Sequence, residues 1–229
     1  MASILHFITL ELRLYNNYSN VLNIQFVSHC KNDRHCIGGS MGSIKIPYAL
    51  KGNEPVYIDS VERGLACDCQ CPICGEPLIA RKGEVNTPHF SHKAKPKCKS
   101  ETVLQYLGKQ FLYRRIQESI NSKTKLDFEW FCRTHNRNHD GDLMHRAASV
   151  RIDSELGNIT PDITTYSKKG NPRIAIEVSV SSPINPEIVE YCCAKDIYLF
   201  QLNLKKGSDL HQILHGKLFF KRLYNDCPM

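Results

Sequence analysis

Along this chain the spacing of apolar positions changes period several times, and each change marks an element. Leu104, Leu107, Phe111, Leu112, Ile116 and Ile120 recur at helical spacing, which predicts a long helix with one buried face. Ser100 ahead of them is a good N-cap, and Glu101 falls in the first turn. The period then shortens. LDFEWF (126–131), ASVRIDSEL (147–155), ITPDITTY (159–166) and RIAIEVSV (173–180) read as strands, the last closed off from its predecessor by the turn KKGNP. A helix from about Pro186 to Ala194 and a strand IYLFQLNL (197–204) follow. The polar, His-rich stretch between Cys132 and His145 reads as a loop.

Helix, three or four strands, helix, strand is the order of an α/β fold: a mixed central sheet with flanking helices and a crossover connection. Upstream, IKIPYAL and PVYI form two short strands around KGNEP and open a small β-rich module over residues 41–99, with the main domain over 100–229. Residues 1–40 are Asn-rich and irregular, carry an isolated Cys30 and Cys36, and end in G-G-S. They are expected to be an extension outside the folded domain, with Met41 as a candidate start.

Composition narrows the class. A chain of 229 residues with 41% apolar content can bury one sizeable core beside a small module. Lysine and arginine number 30 against 23 aspartates and glutamates, a formal charge of +7 that favours an anionic partner such as nucleic acid. No run approaches the roughly 20 apolar residues of a membrane span. Glu11 and Arg13 interrupt the first apolar stretch, so a secretory signal is not expected and the cytoplasm is the expected compartment. Eleven cysteines there stay reduced, and the clustered ones read as metal ligands. Oligomeric state is not legible from these patterns.

The densest cluster is CPICGEPLIARKGEVNTPHFSH, from Cys71 to His92. C-P-I-C-G is a knuckle in which two thiolates face one centre while Gly75 takes the positive φ of the turn. Five donors, Cys71, Cys74, His89, His92 and Cys98, compete for the four places of a structural Zn2+. The two knuckle cysteines take two places, and His89, His92 and Cys98 supply the others. Cys67 and Cys69 read as free thiols, and Cys192 with Cys193 as helix packing. The second run, C-R-T-H-N-R-N-H from Cys132 with His145 beyond, has ligand-like spacing but a solvated composition, and its Arg133 and Arg137 suit phosphate contact.

Strand alternation puts Glu177 and Ser179 on one face of RIAIEVSV and Ile174, Ile176 and Val178 on the other. A carboxylate in so apolar a strand is costly unless it is used. The preceding hairpin strand opens with Pro161 and Asp162, which can lie beside Glu177. Two adjacent carboxylates repel unless a hard cation joins them, so the pair suggests Mg2+ or Mn2+. Glu155, with Arg151 and Asp153 on one strand face, is a further acid near the pair.

P-D, fourteen residues, then E-V-S resembles the core of PD-(D/E)XK nucleases. The series C-x-x-C, H-F-S-H, S-E-T-V-L-Q-Y-L-G-K, P-D and I-E-V-S-V-S resembles the competence protein CoiA family, over roughly residues 60–205. The resemblance implies a zinc-binding module before a restriction-endonuclease-like domain (helix-strand-strand-strand-helix-strand) that hydrolyses phosphodiester bonds of nucleic acid, with DNA the expected substrate. It implies Asp162 and Glu177 as ligands of the catalytic Mg2+, Glu101 as a supporting acid and Lys109 as a basic helix position. Two positions depart from it. Gln105 stands where that helix tends to carry His, and Ser179 stands where the superfamily has Lys and this branch tends to have Gln. Serine supplies no positive charge, which leaves a second reading: an inactive, zinc-containing nucleic-acid-binding protein that retains the fold.

Overall fold

A computed structural model describes residues 44–94, 96–132, 136–145 and 147–222. The N-terminal extension, Cys30, Cys36, Met41 as a start, and Arg133 lie outside the described residues. Two sheets and three helices make up the described fold, a mixed α/β architecture.

The first sheet is antiparallel and five-stranded, in the order β2-β1-β3-β4-β5: β1 Tyr48–Lys51, β2 Glu54–Tyr57, β3 Gly64–Gln70, β4 Pro77–Arg81 and β5 His89–His92. The turn KGNEP pairs β1 with β2 in the expected hairpin, with Gly52 at φ +60. Helix α1, Ser100–Ser122, follows. It starts at Ser100 with Lys99 in the N-cap position, one residue ahead of the expected cap; the Ser100 hydroxyl instead accepts the Ile44 amide at 3.3 Å and donates to Glu101.

The second sheet has seven strands in the order β7-β6-β12-β11-β10-β9-β8. These are β6 Asp127–Cys132, β7 Arg137–Asp142, β8 Ser149–Ile152, β9 Ile163–Tyr166, β10 Pro172–Ser179, β11 Tyr198–Asn203 and β12 Leu218–Arg222. Helix α2, Pro186–Ala194, is the crossover that makes β10 and β11 parallel; it is capped by the Asn185 side chain on the Glu187 amide and carries proline at its start. Helix α3, Asp209–His215, leads into β12.

Four elements differ from the sequence expectation of helix-strand-strand-strand-helix-strand. Most of the polar stretch expected as a loop is β7, zipped onto β6 with His139 stacked on Trp130 at 5.4 Å. Its side chains are polar because one of its faces is solvated, which hides a strand from an apolar count. Strand β8 stops at Ile152 rather than running to residue 155, since Asp153 adopts φ +47. Helix α3 and β12 were too short to show a period.

One apolar cluster runs through both sheets. Leu104, Leu107, Phe111, Leu112 and Ile116 of α1 meet Ile174, Ile176 and Val178 of β10 on one side and Tyr48 on the other, its ring 4.9 Å from that of Phe111. A second cluster, Ala175, Leu199, Ile188 and Cys192, seats α2 on the opposite face of the large sheet. None of the described helices is long and apolar enough to cross a membrane.

Candidate metal centre and carboxylate site

Cys71, Cys74, His92 and Cys98 bring one ligand atom each to within 4.8 Å of the others. Local structure explains the convergence. The Gly75 amide closes the knuckle on the Cys71 carbonyl at 2.9 Å with φ +70, and the Cys71 amide reaches back to Glu76 at 2.9 Å. His92 ends β5, paired to Leu78, and Cys98 arrives in the loop before α1. The separations are 3.5 Å for Cys71–Cys98, 3.7 Å for Cys98–Cys74, 3.3 Å for Cys74 Sγ–His92 Nε2 and 3.7 Å for Cys98 Sγ–His92 Nε2. A tetrahedron with Zn–S of about 2.3 Å and Zn–N of about 2.0 Å has S···S edges of about 3.8 Å and S···N edges of about 3.5 Å. The donor set, its spacing and its chemistry therefore fit a structural ion such as zinc.

His89 is the fifth donor and is not in the group. It lies three residues from His92 on one strand, so alternation turns it to the other face, where Nδ1 meets the Thr87 carbonyl at 2.8 Å. Cys67 and Cys69 are buried and hydrogen-bonded to the Leu78 and Cys67 carbonyls, and burial pushes Cys69 up to about 12. Within the four-donor group, burial and its bonds to Cys71 and Cys74 push Cys98 up to about 12. Burial also raises Cys74, but the Glu76 amide and the neighbouring thiols outweigh it and hold that thiol below its ordinary value.

The second site lies where β9 and β10 diverge. Glu177 Oε1 accepts the Asp162 amide at 3.1 Å, and Asp162 Oδ2 accepts the Val178 amide at 2.8 Å, so each acid is anchored to the other's strand. Burial, then the charge of Asp162, pushes the Glu177 carboxyl up to about 7. Lys109 reaches in from α1, its ammonium 2.7 Å from Asp153 Oδ1 and 3.3 Å from Asp162 Oδ1. Burial pulls that amine down, but the Asp153 hydrogen bond and the two acids' charges outweigh it and hold it above its ordinary value. Gly108 permits the reach: a Cβ there would stand 2.4 Å from Leu204 Cδ1 and 3.3 Å from Val178 Cγ1, so only glycine lets α1 settle this closely on the sheet.

Ser179 is in register with Asn203 and Glu177 with Gln201. The Gln201 amide donates to the Ser179 hydroxyl at 2.8 Å, which donates to Asn203 Oδ1 at 2.7 Å. Ser179 is thus a buried relay in a polar chain beside Glu177.

Glu101 is placed apart from these groups. It bonds Ser100 and lies eight residues, about 12 Å of helix, from Lys109; the charges acting on Glu177 are those of Asp162, Lys109 and Asp153. Glu155 is exposed in the loop beyond β8. Asp153 was passed over by sequence reasoning because it was read as a strand residue; its left-handed backbone turns it toward Lys109, and its amide bonds the Asp162 carbonyl at 3.0 Å. Gln201 carried no signal except its polarity in an apolar strand.

Residues 63–101 match the family model of the competence protein CoiA N-terminal domain. That match spans β3, the whole four-donor group and the start of α1. It supports a CoiA-like family for this chain. No curated protein and no solved structure matches it.

Proposed function

We propose that the chain is a CoiA-like, competence-related, metal-dependent nuclease with a restriction-endonuclease-like core, hydrolysing phosphodiester bonds of nucleic acid, with DNA the expected substrate. The observation that carries this reading is the cross-anchored pair Asp162 and Glu177. A buried carboxyl pushed up to about 7 beside a second acid is a costly arrangement that a divalent cation relieves. Magnesium takes one or two protein carboxylates and completes its shell with water and phosphate oxygens, a demand these two residues fit. When bound, such an ion activates water and neutralises charge on the reacting phosphate.

The chain's own groups do the remaining work. Lys109 and the backbone amides hold Asp162 in place, and Glu177 must lose its proton before it can serve as a ligand. Lys109 is also the cation nearest the pair, on a helix rather than at the Ser179 position. Zinc in the four-donor group folds the module ahead of this site and takes no part in hydrolysis.

The inactive reading has its own support. Lys109 already neutralises Asp153 and Asp162, and Ser179 commits its proton to Asn203. Incubating single-stranded DNA, duplex DNA and RNA with Mg2+ or Mn2+ separates the two. Cleavage that disappears in Asp162→Ala and in Glu177→Ala, with folding retained, is expected. Binding without cleavage by the wild type would sink the nuclease reading.

A further inference from the structure

Lys109 is shared between two acids that offer it different bonds. Its ammonium lies 2.7 Å from Asp153 Oδ1, the length of a good charge-assisted hydrogen bond, and 3.3 Å from Asp162 Oδ1, which is longer than that optimum. Asp162 Oδ2 accepts the Val178 amide, so Oδ1 is the less encumbered oxygen of that carboxylate. Lys109 therefore stands beside the oxygen that a cation held jointly with Glu177 needs.

An ammonium and a divalent ion at one carboxylate oxygen repel each other, so Lys109 and the ion compete. The lysine side chain is only 17% exposed, and an ammonium left at that depth without a partner is costly. Asp153 removes the cost. It follows β8, which α1 packs over, and its φ of +47 turns the chain out of the strand, a left-handed conformation that aspartate tolerates. Its amide donates to the Asp162 carbonyl at 3.0 Å, so the two acids are tied through the backbone and keep their spacing whichever of them holds the lysine. Charge gives the same answer. Once all three acids are ionised, Asp153, Asp162 and Glu177 balance Lys109 together with a divalent ion, whereas Asp162 and Glu177 without Asp153 would leave an excess positive charge.

We propose that Asp153 is a positioning residue that takes Lys109 over from Asp162 when a divalent cation binds the Asp162–Glu177 pair, and so keeps the ammonium beside the site. The exchange rests on the reading of that pair as a divalent-cation site. No covalent bond changes: Asp162 gives up its longer contact with the ammonium, and Asp153 retains the hydrogen bond it already makes. An ordinary exposed ion pair contributes little. This one has a use because its lysine has a second claimant.

Two variants of the zinc-loaded full chain test the exchange. Lys109→Met keeps the buried stem and removes the competing charge. Asp153→Asn keeps the shape and the left-handed tolerance of a side chain that is 56% exposed, so it leaves folding intact. Mn2+ prefers oxygen donors to the thiolates of the zinc group, and its affinity is read from the EPR signal of the free ion. That affinity is expected to rise about fivefold or more in Lys109→Met. The second readout is amine-selective labelling of Lys109 at fixed pH, followed by mass spectrometry. In the wild type, saturating Mg2+ leaves the labelling rate nearly unchanged, because Asp153 still holds the amine. In Asp153→Asn, Mg2+ should raise the rate about fivefold or more, since neither acid is then available. An equal Mg2+ response in the two proteins, or none in either, overturns the exchange. So does a Mn2+ affinity in Lys109→Met no higher than that of the wild type, which would make the lysine a fixed structural bridge. Cleavage is scored separately. The expected labelling and Mn2+ results without cleavage leave the exchange standing and remove the nuclease, while cleavage with no Mg2+ response in Asp153→Asn keeps the nuclease and removes the exchange.

Discussion

Glu177 illustrates how a single carboxyl sets a pH dependence. Its ordinary value is 4.5, and burial with the Asp162 charge raises it to about 7 in the folded chain. Between these values the folded state holds more protons than the unfolded state, so stability falls as pH rises through that window and is fully present below it. At 1.36 kcal/mol per unit the loss approaches about 3 kcal/mol. Glu177→Gln removes the charge, so denaturant unfolding without divalent cation should find the variant more stable than wild type at pH 8, with the gap closing toward pH 4.5. A gap that does not change with pH would assign the titration to another group. Residue chemistry also separates the histidines: zinc content should stay near one per chain in His89→Ala and be lost in His92→Ala, because only His92 faces the three thiols.

At the scale of elements, the decisive contact is α1 on β10 and on Leu204, just beyond β11. Ala in place of Gly108 gains about 1 kcal/mol of helix propensity. The added methyl meets Leu204 and Val178, both fully buried, and overpacking of this kind costs about 1–3 kcal/mol. The clash wins, so Gly108→Ala should lower the melting temperature by several degrees. It should also reduce the proposed Mg2+-dependent cleavage more than that loss explains, because Lys109 is the next residue and would be lifted from Asp162. Arg115 ties the same helix to the end of α3 through the Ile213 and Gly216 carbonyls at 2.6 and 2.7 Å, which fixes the approach to β12.

Across the whole molecule, the small sheet is not an independent bead. Ile46, Tyr48, Ala49, Leu78 and Phe90 share one core with α1, which makes the module less dependent on its metal than its sparse apolar sequence implies. The knuckle end still hangs on four donors, and structural zinc is worth about 10–16 kcal/mol in isolated peptides, comparable with a whole domain's stability. Chelation should therefore strip hydrogen-exchange protection from residues 64–98 while α1 keeps most of its own. Unchanged protection after the metal is gone would show that the four donors have no structural ion to hold.

Periodicity determined the long elements: α1, β10, α2 and β11 each repeat a pattern that only one backbone geometry can bury on one side. The knuckle was legible for a similar reason, since C-P-I-C-G confines its thiolates within a few bonds. Three short or polar elements escaped because their identity depends on partners: β7 is a strand through β6, β12 through β11 and β6, and α3 through Arg115; β8 was legible, but its end lies where Asp153 leaves the extended region. Tertiary structure alone decided which histidine faces the thiols, that Lys109 bridges Asp153 and Asp162, and that Gln201 backs Ser179. These groups are distant along the chain and meet only where strands fall into register, a long-range condition that no local spacing encodes.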